Sequence, residues 1–340
     1  IFTNTGMTGQ EHAQRGRSRV LIWLQQLWDH GYIEWFSTTY YPEDIGPLAV
    51  LCDFAADDEV RIKANMILDL MMYDLASQSF KGTFVTTTGR GYEMERMSGL
   101  YSSVKSESEF FFGYDVNPSS SVSINMGLNL RYSKTYKMPP VFYEIARDEQ
   151  TRVIKGSSGL DVDELTGLGL IGQADEQIMM QWGMESFSNP QTIANSVKYI
   201  ENHGMFQNAF LHGFKDVNFS VLKVFNLLPL VSKALNPQSN GVAIQRANTY
   251  LYRTPHYSLY TTQNYHPGDY GDQQHVAGMT FSNDLSIFHS HPAVEAGRSG
   301  ANGNSPTYWV GYGHLPHSVQ HENINLSIYN IPRKKGKMEK

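Results

Sequence analysis

One cysteine, Cys52, occurs in 340 residues, so no internal disulfide framework can hold this chain together. Cys52 sits in an apolar helical pattern and reads as a packed side chain rather than a nucleophile or metal ligand. Charge is also sparse, at 18% of residues, with 27 Lys and Arg against 33 Asp and Glu and a net charge of −6. The only basic cluster is the tail at 333–340, which argues against general nucleic-acid binding. No apolar run approaches the ~20 residues of a membrane span. The densest stretch, 221–235, is broken by Lys223, Asn226 and Pro229. Phosphate-loop, dinucleotide-fold and Gly-x-Ser-x-Gly signatures are absent as well, and 156–159 lacks the flanking strand and Lys of a phosphate cradle. What is present is 41% hydrophobic and 12% aromatic residues, enough for a full core in one large domain or two. The chain opens on Ile1, which reads as a processed or trimmed start.

Apolar residues at spacings of three and four predict helices over 19–35 (Val20, Trp23, Leu24, Leu27, Trp28), 41–55 and 58–76. Asp57 and Asp58 suit the start of the third. Residues 82–93 are β-branched and punctuated by glycine, so a loop or short hairpin is expected there. Further helices are predicted at 122–133, 140–147, 175–182, 190–202 and 219–235. After Pro237 the character changes. Short aromatic or β-branched segments at 243–253, 257–263, 279–289 and 323–331 read as strands or irregular loops. Eight of the twelve His lie at or after His256, among several Tyr residues, a density suited to a carbohydrate cleft or to an interface between helices and strands. The expected architecture is mainly α: an incomplete (α/α) toroid over 1–237, a continuation with short strands and cleft loops over 238–332, and a basic tail at 333–340.

Several stretches carry a resemblance. Gly31-Tyr-Ile-Glu-Trp35, Tyr40-Tyr41, Asp53-Phe54-Ala55, Ile67-Leu68-Asp69-Leu70 and Gly89-Arg90-Gly91-Tyr92 resemble the first half of (α/α)-toroid polysaccharide lyases acting on uronates, the alginate-, glucuronan- and heparinase-like group. Trp182-Gly183-Met184-Glu185, Tyr252-Arg253-Thr254-Pro255-His256-Tyr257, Gln273-Gln274-His275 and Phe288-His289-Ser290-His291-Pro292 are similar to its second half. The resemblance implies β-elimination on an anionic polysaccharide, a secreted or periplasmic protein, and no cofactor. That chemistry needs Asn, His, Gln or Arg to neutralise the uronate carboxylate before C5 loses its proton, and Tyr or His to move protons. Tyr252 and Tyr257, flanking Arg253, are the acid/base candidates, on the argument that the neighbouring cation lowers a phenol pKa. His203, Arg246 and Asn125, with Asn129 one turn away, are candidates for carboxylate neutralisation. Arg90 and Arg253 are candidate substrate clamps, with Trp182 and Glu185 for stacking and hydroxyl binding, and Gln273 and His275 for one cleft face. Arg90, Arg246 and Arg253 are expected to supply a positive cleft together.

Three alternatives accompany this reading. Asp175, Glu176 and Glu185 lie close in sequence and would suit a toroid glycoside hydrolase with paired carboxylates. A carbohydrate-binding protein without catalytic groups is the non-enzymatic reading. More remotely, His289-Ser290-His291-Pro292 followed by Ser299-Gly300-Ala301-Asn302 resembles the zinc site of JAMM-type metalloproteases, although Asn302 stands where a carboxylate ligand is needed. His314, His317 and His321 have metal-compatible spacing only on a helix, which Pro316 opposes. No metal is expected.

Overall fold

Thr8 and Glu11 exchange hydrogen bonds in a capping box that starts α1, Gly9–His30. Pro42 opens α2, Tyr41–Phe54, and the Asp57 carboxylate accepts from Val60 N–H at 3.0 Å to start α3, Asp58–Gln78. α2 and α3 occur where the periodicity places them, whereas the first helix, expected over 19–35, runs over Gly9–His30 and stops at Gly31. Their apolar stripes meet in one core that includes Leu24, Ile45, Leu48, Ile67, Leu68 and Leu75. Cys52 lies in it with no exposed surface, and burial, with smaller contributions from Asp53 and Asp69, pushes its thiol up to about 12. The computed structural model describes residues 1–92, 95, 99–114, 128–236, 243–271, 273–282, 285–291 and 313–335.

The expectation of a mainly α toroid is overturned. Helices make up 44% of the protein and strands 16%, with a five-stranded antiparallel sheet and a separate two-stranded one, a mixed α/β architecture. The large sheet runs β1 (Arg152–Ser158), β2 (Ala247–Arg253), β3 (Ser258–Thr262), β4 (Ala277–Ser282), β5 (Leu285–Phe288). Sequence reading missed β1, because its burial is that of an edge strand with mostly exposed side chains and no apolar alternation marks it. It pairs with β2 along its whole length, from Arg152 opposite Arg253 to Ser158 opposite Ala247. Segment 156–159, read as lacking a strand, is therefore the end of one.

The helices α4 (Lys105–Phe112), α5 (Leu128–Arg131) and α6 (Pro140–Arg147) precede β1. The helix predicted over 122–133 is described only as α5, its earlier residues lying outside the described set. Between β1 and β2 run α7 (Glu164–Gly167), α8 (Asp175–Gly183), α9 (Ile193–Asn202), α10 (Ser220–Val224) and α11 (Leu228–Leu235). The single helix expected over 219–235 breaks at Asn226, whose φ is 50°. Arg19 of α1 forks onto Asp175 at 3.0 and 3.1 Å, tying this helical insertion back to the first layer.

One face of the large sheet packs on the helices. Leu251 and Tyr260 join Val85 in a small buried cluster, and Arg253 reaches between elements to the carbonyls of Ser77, Ser79 and Ile145. Alternation along β2 sends Tyr250 and Tyr252 to the opposite, outer face. The hairpin of β6 (His317–His321) and β7 (Ile324–Ile328) covers part of that outer face with its polar side. Asn325 donates to Thr261 Oγ1 at 2.7 Å and Gln320 donates to the Leu259 carbonyl at 3.0 Å. Its apolar side chains, Val319, Ile324, Leu326 and Ile328, are left exposed.

Gly31 ends α1 with φ 71° and ψ −173°, a conformation open essentially to glycine alone. A Cβ there would also meet Ser158 Oγ at 2.6 Å, where that hydroxyl donates to the Tyr32 carbonyl. Gly31→Ala is expected to cost about 2 kcal/mol, read as a lower urea midpoint at unchanged m-value.

Candidate active site

The 31–40 loop and the 82–92 loop are brought side by side by a glycine. Gly89 N–H donates to the Trp35 carbonyl at 2.8 Å, and a Cβ on Gly89 would lie 2.9 Å from both Glu34 Cα and Trp35 N. Only glycine permits that approach. The neighbouring Thr88 is bridged through paired backbone bonds to His275, at 3.0 and 2.9 Å, which draws in the loop between β3 and β4. Thr88 Oγ1 also donates to the Arg90 carbonyl at 2.7 Å and accepts from Arg90 N–H, fixing the turn that presents Arg90.

The guanidinium of Arg90 then closes four segments on itself. Its Nε donates to Glu34 at 2.5 Å, its Nη1 to Gln273 Oε1 and its Nη2 to Glu185 Oε1. Glu185 follows the end of α8 with φ 53°, and Gln273 has φ 71°, so both partners sit in left-handed backbone conformations unusual for their residue types. Strain of this kind collects at functional sites because the surrounding structure has to hold it. Arg90 stands over the Tyr40 ring at 5.7 Å, and the hydroxyls of Tyr40 and Tyr92 are 3.0 Å apart. Burial and the bond to Tyr92 raise the Tyr40 pKa, with Arg90 partly opposing, so Tyr40 stays protonated at neutral pH. The Arg90 side chain is 12% exposed and each glutamate 26%, so the cluster is shielded but reachable by solvent.

Behind it lie carboxyl groups whose pKa values are raised by burial. Asp44, one turn beyond Tyr40 on α2, is pushed up to about 7 by burial and then by Glu34 and Glu43. Asp74 is also raised to about 7, because burial outweighs the hydrogen bond it accepts from Tyr41 at 3.0 Å.

Three of the residues expected from sequence, Arg90, Glu185 and Gln273, thus share one centre, and His275 is beside it through its backbone. The remaining expectations are placed elsewhere. Arg253 is 4% exposed and spends its guanidinium on carbonyls, so it is no clamp. It also leaves the sheet on the face opposite Tyr252, which removes the premise that its charge acidifies the flanking phenols. Tyr257 is instead raised by burial and by Tyr252, whose ring is 6.3 Å away. Arg246 is held by both oxygens of Glu164 at 2.7 and 2.8 Å. Among the described residues Arg90, Arg246 and Arg253 share no partner and no pocket wall, which is not the joint positive cleft expected of them. His203 is exposed at the end of α9, stacked on Tyr199 at 4.0 Å and bonded to that residue's carbonyl. Trp182 packs against Phe187 and Tyr199 and donates to Ser196 Oγ. Asp175 is taken by Arg19 and does not join Glu185.

Asn125 and Asn302 lie outside the described residues, and of Asn129 only its backbone position in α5 is described. His317 and His321 belong to a strand rather than a helix, both on its exposed side. His275, His289, His291 and His314 line a cavity of about 20 Å³, room for roughly one water. Among the described residues no group of three or more His, Cys, Asp or Glu is arranged to hold a metal ion. Nor, among them, is any helix long and apolar enough to cross a membrane.

Sequence reasoning assigned no role to Glu34, Tyr40 or Tyr92, although all three stand in stretches that carried the resemblance. The signal was there in Gly89-Arg90-Gly91-Tyr92, whose glycines mark a close backbone approach. No protein-family model, no curated protein and no solved structure matches the chain.

Asp44 and Asp74 generate a pH signature. Their folded pKa values of about 7 exceed the ordinary carboxyl value near 4, so the folded state holds protons that the unfolded state has released. Stability should fall as pH rises from about 4 to about 7 and level off above that. Urea unfolding across this range should show a shallower slope in Asp44→Asn and in Asp74→Asn.

Proposed function

We propose that the Arg90 centre cleaves a uronate-containing polysaccharide by β-elimination. The observation that carries this reading is the convergence of Arg90, Glu185 and Gln273 beside a Tyr40–Tyr92 hydroxyl pair, on a backbone strained at two of those positions. Among the described residues, two of Arg90's partners, Glu34 and Glu185, are anionic and one, Gln273, is a neutral amide. A substrate carboxylate that takes the place of Gln273 exchanges a neutral acceptor for a charged one, a stronger partner for the guanidinium. With the carboxylate neutralised, the C5 proton is acidic enough for Glu34 or Glu185 to take it. The electron pair left on C5 forms the C4–C5 double bond, the C4–O4 bond breaks, and a protonated tyrosine of the Tyr40–Tyr92 pair gives its proton to O4. The elevated pKa of Tyr40 suits it as the acid and not as the base.

A second reading has its own observation. Glu34 and Glu185 hold the same guanidinium through Nε and Nη2, so two carboxylates stand side by side, as acid and nucleophile or base do in glycoside hydrolysis. Of the carboxylates expected from the sequence, Asp175, Glu176 and Glu185, this pair keeps Glu185 and takes Glu34 as its partner.

Incubation with alginate, glucuronan, pectate, hyaluronan and heparan sulfate separates the two. β-Elimination raises the ultraviolet absorbance of the unsaturated uronate, and Arg90→Ala should then lower kcat/KM about a hundredfold or more. Tyr92→Phe should lower kcat, while Tyr252→Phe, on the outer sheet face, should leave it unchanged. Reducing ends without that absorbance, lost in both Glu34→Gln and Glu185→Gln, would make the reaction hydrolysis. Retained binding with neither product would make the protein a carbohydrate-binding one.

A further inference from the structure

Two hollows lie along α1, and they adjoin each other. One, of about 690 Å³, is lined by Gln14, Ser18, Gln25, Gln26, Arg17 and Lys63 among others. The other, of about 450 Å³, lies between α1, α3 and the end of β1, with Trp28, Tyr32, Phe36, Tyr73, Asp74 and Arg246 in its walls. Asp29 and His30 line both, so they form one groove. From Gln14 to His30 it follows the helix for about 24 Å at the usual rise per residue. Each hollow has the size of a small-molecule site, which runs to roughly 300–1,000 Å³.

The groove's chemistry selects against a polyanion. Arg17 is paired with Asp57 at 2.7 Å and Glu59 at 2.8 Å, Lys63 with Glu59 at 3.2 Å, and Arg246 with Glu164 at 2.7 Å. Asp29 and Glu176 add negative charge to the walls. What remains for a ligand is a run of amides and hydroxyls and two aromatic side chains that are far from buried, Trp28 at 49% exposure on α1 and Tyr73 at 41% on α3. Aromatic faces take the C–H side of a sugar ring, and carboxylates and amides take its hydroxyls. At its inner end are Tyr32 and Phe36, and Glu34 between them in the chain is the residue that holds Arg90.

We infer that this groove is the track for the uncharged sugars of the polymer, and that the substrate is a heteropolysaccharide in which uronates alternate with neutral residues. This rests on the reading of the Arg90 centre as a uronate site. A single arginine there recognises one carboxylate, and the groove accommodates the flanking neutral units.

Isothermal titration of the full chain with cellohexaose, xylohexaose, mannohexaose and hexagalacturonate tests it. At least one neutral hexaose is expected to bind more tightly than hexagalacturonate. Trp28→Ala should weaken that binding about tenfold, and Tyr252→Phe, on the outer face of the large sheet, should leave it within about twofold. Tyr73→Ala, on the opposite wall, repeats the test should Trp28→Ala not fold, and a circular-dichroism melt of each variant establishes folding. The inference is overturned by absence of neutral-hexaose binding at about 1 mM, by binding that neither groove variant weakens, or by tighter binding of hexagalacturonate. Groove binding without chain cleavage would count against the proposed reaction alone, and cleavage without groove binding would count against the groove alone.

Discussion

The guanidinium of Arg90 is the constraint to which the rest of the structure answers. Its three donor directions are taken by Glu34 from the loop after α1, Glu185 from the end of α8 and Gln273 from the loop between β3 and β4. The first helical layer, the helical insertion and the sheet therefore meet at one planar cation. A planar fork with fixed donor directions can dictate such an arrangement, whereas an ammonium group would leave its partners free to shift. The two left-handed partners and the glycine contact at Gly89 are what this convergence costs the backbone.

Charge is managed differently at the buried acids. Burial raises Asp44 and Asp74 to about 7, and tyrosine hydroxyls serve as neutral donors to carboxyl groups, Tyr41 to Asp74 and Tyr136 to Asp69 at 3.0 Å each. Burying a carboxylate without a cation is expensive, so protonation is the cheaper solution. Among the described residues, Arg90 is the cation of the functional side, and it is committed to its own glutamates.

Local pattern carried some of this into view and tertiary pairing hid the rest. The helical stripes of α1, α2 and α3 are readable because each buries one face against a common core. β1 was unreadable because an exposed edge strand has no apolar alternation to betray it, and its partner lies some ninety residues away in the chain. Missing it, and treating the later strands as appendages of a helical ring, led to the wrong fold class. Arg90, Glu185 and Gln273 could each be singled out from their surroundings, but nothing in one chain says that they meet. Tyr252 and Arg253 show the same limit on a strand: neighbours point to opposite faces, so adjacency in sequence is separation in space.

The solitary thiol gives this molecule a built-in clock. Cys52 is sealed between α2 and α3 with its ionisation suppressed, so a thiol reagent in solution meets it only when the helical layer opens. The rate of labelling in native buffer thus counts those openings directly, in the unaltered chain. With no second cysteine to contribute background, the kinetics of the layer that carries Glu34 and Tyr40 can be followed separately from the melting of the sheet.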